Sequence, residues 1–114
     1  MTNTTYLTQV QAPSRDAINA LLGSVLLEFG TDWCSHCTAA QPLIAQALSR
    51  QKGITHVKIE DGPSRSLGRS YGVKLWPTLV FLRDGQELTR IVRPQEPQAL
   101  EQALKSIAVP GHNK

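Results

Sequence analysis

Alternation of apolar and polar positions divides the chain into short segments. Tyr6, Thr8 and Val10 alternate with Leu7, Gln9 and Gln11, which predicts a short edge strand ended by Pro13. Ser14 is an N-cap residue for a helix over Arg15–Leu22, with Ile18, Leu21 and Leu22 on one face and Gly23 as its stop. Val25–Phe29 is apolar except at Glu28 and predicts a buried strand. From Cys37 to about Arg50, Ala40, Leu43, Ile44, Ala47 and Leu48 recur at helical spacing. Pro42 falls inside this helix and predicts a kink, and Gly53 terminates the segment.

Ile54–Ile59 predicts a further strand. Either Ile54, His56 and Lys58 share one side against Thr55, Val57 and Ile59, or the strand is buried on both sides at Val57–Ile59. Asp61–Ser64 is a turn, and a short helix through Leu67 and Tyr71 ends at Gly72. Val73–Pro77 is a loop feeding a strand over Thr78–Leu82. Asp84-Gly85 marks a hairpin, from which Glu87–Val92 returns antiparallel. Gln95–Ile107 is an amphipathic helix carrying Ala99, Leu100, Ala103, Leu104 and Ile107. The order is β-α-β-α-β-α-β-β-α. Its first half implies parallel neighbours with right-handed crossovers, and its last hairpin adds an antiparallel edge. The fold class is α/β, a mixed central sheet with helices on both faces. The 114 residues fit one domain, with a core over about 5–107 and a flexible tail at 108–114, frayed from Val109.

Composition narrows the function classes. Twelve basic and nine acidic residues leave a formal charge of +3. The basic residues are scattered, with no basic stripe interleaved with aromatics, so a nucleic-acid partner is not expected. No apolar run reaches the roughly 18 residues that span a bilayer. The N-terminus lacks the charged and apolar regions of a signal peptide. A cytoplasmic, monomeric protein is therefore expected.

Chemistry concentrates at Trp33-Cys34-Ser35-His36-Cys37, where the only two cysteines stand at the predicted junction of strand and helix. A bridge closing so short a loop adds little stability by chain entropy, and a reducing cytosol disfavours a structural disulfide. Only a thiolate attacks a disulfide. If the helix begins near Ser35, Cys34 lies at its N-terminus, where free N–H groups and the helix dipole favour negative charge. A protonated His36 adds a cation nearby. Cys37, one turn later, can reach back to Cys34. Cys34 is thus read as the attacking thiol and Cys37 as the resolving thiol. Three other readings stay open: a zinc site, although Cys34, His36 and Cys37 supply at most three of four ligands; two inert buried cysteines; and a His36 that is only a solvated loop residue. No metal or bound cofactor is expected.

Taken with the preceding Val25–Phe29 and with Pro42 five residues after Cys37, the dithiol motif resembles the thioredoxin family. Tyr71–Leu82, containing Trp76-Pro77-Thr78, is similar to that family's cis-proline segment, and Asp84-Gly85 falls at its last hairpin. The resemblance covers roughly residues 5–107 and implies a thioredoxin fold. It implies a thiol–disulfide oxidoreductase that exchanges a Cys34–Cys37 dithiol/disulfide with protein substrates in the reducing direction. A thiol reductase or a glutathione-type system would recycle it. Glu28, six residues before Cys34, matches the family's buried acid that moves the proton of the second thiol. A lone acid in an apolar strand is costly without a partner or a proton, which independently marks it; the alternative is a Glu28 that snorkels to the surface. Lys58 matches a lysine near that acid, or is an ordinary exposed strand lysine. Pro77 matches the cis-proline. Trp76 and Trp33 would form an apolar platform for substrate, or simply pack.

The Ser35-His36 pair replaces the Gly-Pro of many thioredoxins and resembles disulfide isomerases and periplasmic oxidases at the histidine. Ser35 and His36 are therefore expected to tune the couple above thioredoxin's roughly −270 mV, nearer about −200 mV. Arg93-Pro94 stands where many members carry a glycine near the substrate groove. A thioredoxin-fold binding module with an idle dithiol, or a reductant dedicated to one partner enzyme, are the alternative functions.

Overall fold

The computed structural model describes residues 5–108. The predicted tail at 109–114 lies outside them. Eight elements follow in order: α1 (Arg15–Asn19), β1 (Ser24–Gly30), α2 (Ser35–Ser49), β2 (Ile54–Glu60), α3 (Ser66–Ser70), β3 (Thr78–Arg83), β4 (Gln86–Val92) and α4 (Pro97–Ser106). The strands form one sheet in the order β2-β1-β3-β4. β1 runs parallel to β2 and antiparallel to β3, and β3 runs antiparallel to β4.

β1 lies inside the sheet and is buried at every position, as its apolar run requires. Its residues alternate between two packed layers. Val25, Leu27 and Phe29 join Ile18 of α1 and Leu67 of α3 on one face. Leu26 joins Ala40, Ile44 and Ala47 of α2 and Leu100 and Leu104 of α4 on the other. On β2, Val57 and Ile59 take the first face and Ile54 the second, and the strand is buried on both sides at Val57–Ile59, where Lys58 is buried as well, the second of the two expected patterns. Helices cover both sides of the sheet, as expected.

Two expectations need correction. The N-terminal strand is reduced to a single parallel bridge between Leu7 and Ile59. Beyond it, the Gln11 and Ala12 amides both donate to the Thr8 carbonyl at 3.0 and 2.8 Å, turning the chain away from the sheet. The Gln11 side chain reinforces the turn by accepting from the Thr8 amide at 3.0 Å. Second, α1 stops at Asn19, and Leu22 is exposed. The Gly23 amide donates to Asp84 Oδ1 at 2.7 Å and the Asp84 amide returns to the Gly23 carbonyl at 2.9 Å, which draws the chain off the helix and onto the β3–β4 turn. β3, the first strand of the last hairpin, runs antiparallel to its neighbour β1. The chain enters β3 from the end at which β2 leaves the sheet.

Candidate active site

β1 ends at Gly30 and α2 begins at Ser35, so the intervening loop presents the dithiol at a strand end. Cys34 is the N-cap of α2, with extended backbone, and its Sγ accepts the Cys37 amide at 3.2 Å. This donor is one of the amides that a helix start leaves without a backbone partner. The sulfur also lies 4.0 Å from the Trp76 carbonyl oxygen. Both thiols are free. They differ in access: Cys34 keeps 8% of its surface and Cys37 1%. Burial, first of all, pushes the Cys37 thiol up to about 12, and the neighbouring Cys34 adds to this. The Thr31 backbone and the Tyr6 hydroxyl pull the other way.

Glu28 is fully buried and does not snorkel. Its side chain points to the α2 side of the sheet, where three groups meet it. His56 Nε2 contacts Oε1 at 2.8 Å, while Gln41 Nε2 and the Tyr6 hydroxyl donate to Oε2 at 2.7 and 3.0 Å. Burial opposes ionisation, but the hydrogen bonds from His56 and Gln41 and the charges of His56 and Lys58 outweigh it. They hold the carboxyl below its ordinary range. Of the two ways to accommodate a buried acid, partners or a proton, this site uses partners. Lys58 is buried too: Nζ donates to Gln41 Oε1 at 3.0 Å and sits 4.5 Å above the Tyr6 ring. It is no ordinary surface lysine.

Ser35 and His36 are exposed on the first turn of α2. Trp33 is 76% exposed and packs edge-on against Trp76, ring centres 5.6 Å apart. Trp76 is held from behind by its indole N–H, which donates to Asp61 Oδ2 at 2.8 Å. The Trp76–Pro77 bond is cis; Pro77 is buried, Trp76 half-buried and Trp33 exposed. Arg93 caps that carbonyl with Nε at 2.8 Å. Its φ of 53° lies in the left-handed region that favours glycine, the residue many family members are expected to carry there. Among the described residues, no group of three or more His, Cys, Asp and Glu is gathered to hold a metal ion.

Sequence reasoning missed Tyr6, Gln41, His56 and Asp61 as parts of the site. Gln41 lies one helical turn beyond Cys37 and donates to its carbonyl at 2.9 Å, so helical spacing could have found it. His56 shares a strand face with Lys58. Tyr6 and Asp61 reach their partners from distant segments and carry no local signal.

The comparisons with known proteins agree with this geometry. The thioredoxin family model matches residues 5–106. The chain is 52% identical to thioredoxin 2 from Pseudomonas aeruginosa PAO1, solved in its reduced form, with a TM-score of 0.79 over 94% of this chain and 96% of that one. It is 27% identical to thioredoxin Asp f 28 of Aspergillus fumigatus over 75% of this chain and 80% of that protein. It is 36% identical to protein disulfide-isomerase A3 of Gallus gallus over 77% of this chain, which spans only 18% of that relative. Fold and dithiol together define a protein-disulfide oxidoreductase. The chain belongs to the thioredoxin family.

Proposed function

We propose that the protein reduces disulfides in protein substrates, with Cys34 as the attacking sulfur and Cys37 as the resolving one. The observation that carries this reading is the asymmetry of the pair. Cys34 sits on a helix N-cap with surface access beside Trp33 and Trp76, whereas Cys37 is closed off and backed by the Glu28 network.

The Cys34 thiolate attacks one sulfur of the substrate disulfide, and the other leaves as a thiolate that takes up a proton. A mixed disulfide remains. Cys37 loses its proton, attacks Cys34 Sγ and forms the Cys34–Cys37 bond. The substrate's second sulfur departs with the electron pair, so the substrate gains two electrons and the enzyme loses two. Glu28 serves as the proton acceptor in this step. With Cys37 near 12 and Glu28 held low, the proton does not rest on the carboxylate. It leaves in step with sulfur–sulfur bond formation. The Trp33–Trp76 surface and the Trp76 carbonyl suit an extended peptide, once Arg93 yields that carbonyl. Ser35 and His36, exposed on the first turn, would tune the couple. A thiol reductase or glutathione would return the dithiol, and a cytoplasmic site of action is part of the same proposal.

The test is to trap the intermediate. Cys37→Ser, exposed to a disulfide-bonded protein, is expected to accumulate a covalent adduct at Cys34 that dithiothreitol releases. Mass spectrometry of the digested adduct locates it. An adduct at no residue, or one that forms equally in Cys34→Ser/Cys37→Ser, would overturn the assignment.

A further inference from the structure

Between Cys37 and Glu28 stands a third group. Leu7 is tied into the sheet beside β2 by backbone bonds of 2.9 Å on each side, which fixes the preceding residue, Tyr6. The Tyr6 hydroxyl donates to Glu28 Oε2 at 3.0 Å. It also stands beside the Cys37 sulfur: a Cβ added at Gly30 would lie 2.6 Å from Cys37 Sγ and 2.9 Å from Tyr6 Oη. Glycine at 30 leaves the room in which thiol and phenol meet. Lys58 over the ring and Gln41 on the same carboxylate oxygen hold the arrangement. A cleft of about 440 Å³, lined by Tyr6, Thr31, Cys37, Gln41 and Lys58 among others, opens this cluster to solvent.

We infer that Tyr6 is a catalytic residue, a phenol that relays the Cys37 proton to Glu28 when the mixed disulfide is resolved. The inference rests on the proposed roles of Cys34 and Cys37. In the relay, the Cys37 S–H bond breaks and its proton passes to Tyr6 Oη. The proton already on Oη passes to Glu28 Oε2. The phenol ends as it began, the Cys37 sulfur bonds to Cys34 as its proton departs, and Glu28 hands one proton on to the solvent of the cleft without keeping it. Burial, then the Glu28 and Cys37 charges, raise the Tyr6 hydroxyl far above its ordinary range, so it remains protonated and ready to donate. The ionisable groups around it are Glu28 from β1, His56 and Lys58 from β2, Cys37 from α2, and Asp32 at the cleft. Any of these shapes the pH profile, so the test compares variants at one position.

The reduced protein is mixed with 5,5′-dithiobis(2-nitrobenzoate) in a stopped-flow instrument. Attack by Cys34 releases the first nitrothiolate, and resolution by Cys37 releases the second. Tyr6→Phe is expected to leave the first phase unchanged and to slow the second at least tenfold, the lower end of losses for a proton-transfer group being about 10²-fold when no water substitutes. The second phase should then rise only towards alkaline pH. An unchanged second phase, or equal slowing of both phases, overturns the relay. If Tyr6→Phe does not fold, a trifluorotyrosine placed at Tyr6 keeps ring and hydroxyl. It should shift the pH profile of the second phase downward, and an unshifted profile overturns the relay. A wild-type protein with no second phase contradicts instead the roles of Cys34 and Cys37.

Discussion

Cys34→Ser is expected to reduce insulin no faster than dithiothreitol alone. A serine hydroxyl neither ionises near neutral pH nor forms a disulfide, so the first step is lost. Cys37 cannot take its place. It exposes 1% of its surface, and burial, the largest cause, keeps its thiol above the ordinary range, so little of it is thiolate at neutral pH. The wild-type protein should catalyse the reaction in the same turbidity assay. A Cys34→Ser rate clearly above the blank would place the attack on another residue. An inactive wild type that nevertheless holds a partner stably would favour a binding module.

The largest loss of stability is expected from Glu28→Ala. Its removal leaves Gln41 Nε2, the Tyr6 hydroxyl and His56 Nε2 without their common acceptor, in a place with no surface exposure. Breaking a buried charged network from one side costs about 3–5 kcal/mol. For a domain of this size that is roughly 10–20 °C in melting temperature. Glu28→Gln keeps the volume and one acceptor oxygen, and about 1–3 kcal/mol is expected. The acid side separates the two effects. The folded carboxyl is held below its unfolded value, so its contribution is present above the ordinary glutamate pKa of about 4.3 and is lost as pH falls through the lower folded value. Urea unfolding from pH 7 downward should show this loss in the wild type and a flatter acid limb in Glu28→Gln. Identical acid limbs would mean that the charge of Glu28 does not stabilise the fold.

Local chemistry was readable from the sequence, and long-range closure was not. The β1 run, the helical spacing of Ala40, Ile44 and Ala47, and the Asp84-Gly85 turn each involve neighbours in sequence, and each stands where it was expected. So does Cys34 at a helix start, because N-capping depends on the next three residues. The alternation at Tyr6–Gln11 misled, since a Gln11 side chain closing a turn on Thr8 competes with strand pairing. Glu28 stood out as the one charge in an apolar strand, but its partners did not. Tyr6 reaches it across 22 positions of sequence and His56 across 28, and only the sheet register brings them together. Glu28 pairs with Lys58 across β1 and β2, which puts the acid, the lysine and the histidine on one face.

Catalysis requires that Cys34 and Cys37 form and break a bond with each other. The most direct measurement is a titration of the protein in glutathione buffers of graded potential, quenched with acid and read by intact mass. One two-electron transition is expected, with loss of two hydrogens, no retained glutathione and a midpoint between about −270 and −200 mV. A protein that stays a dithiol throughout, or that only takes up glutathione on separate cysteines, would contradict it.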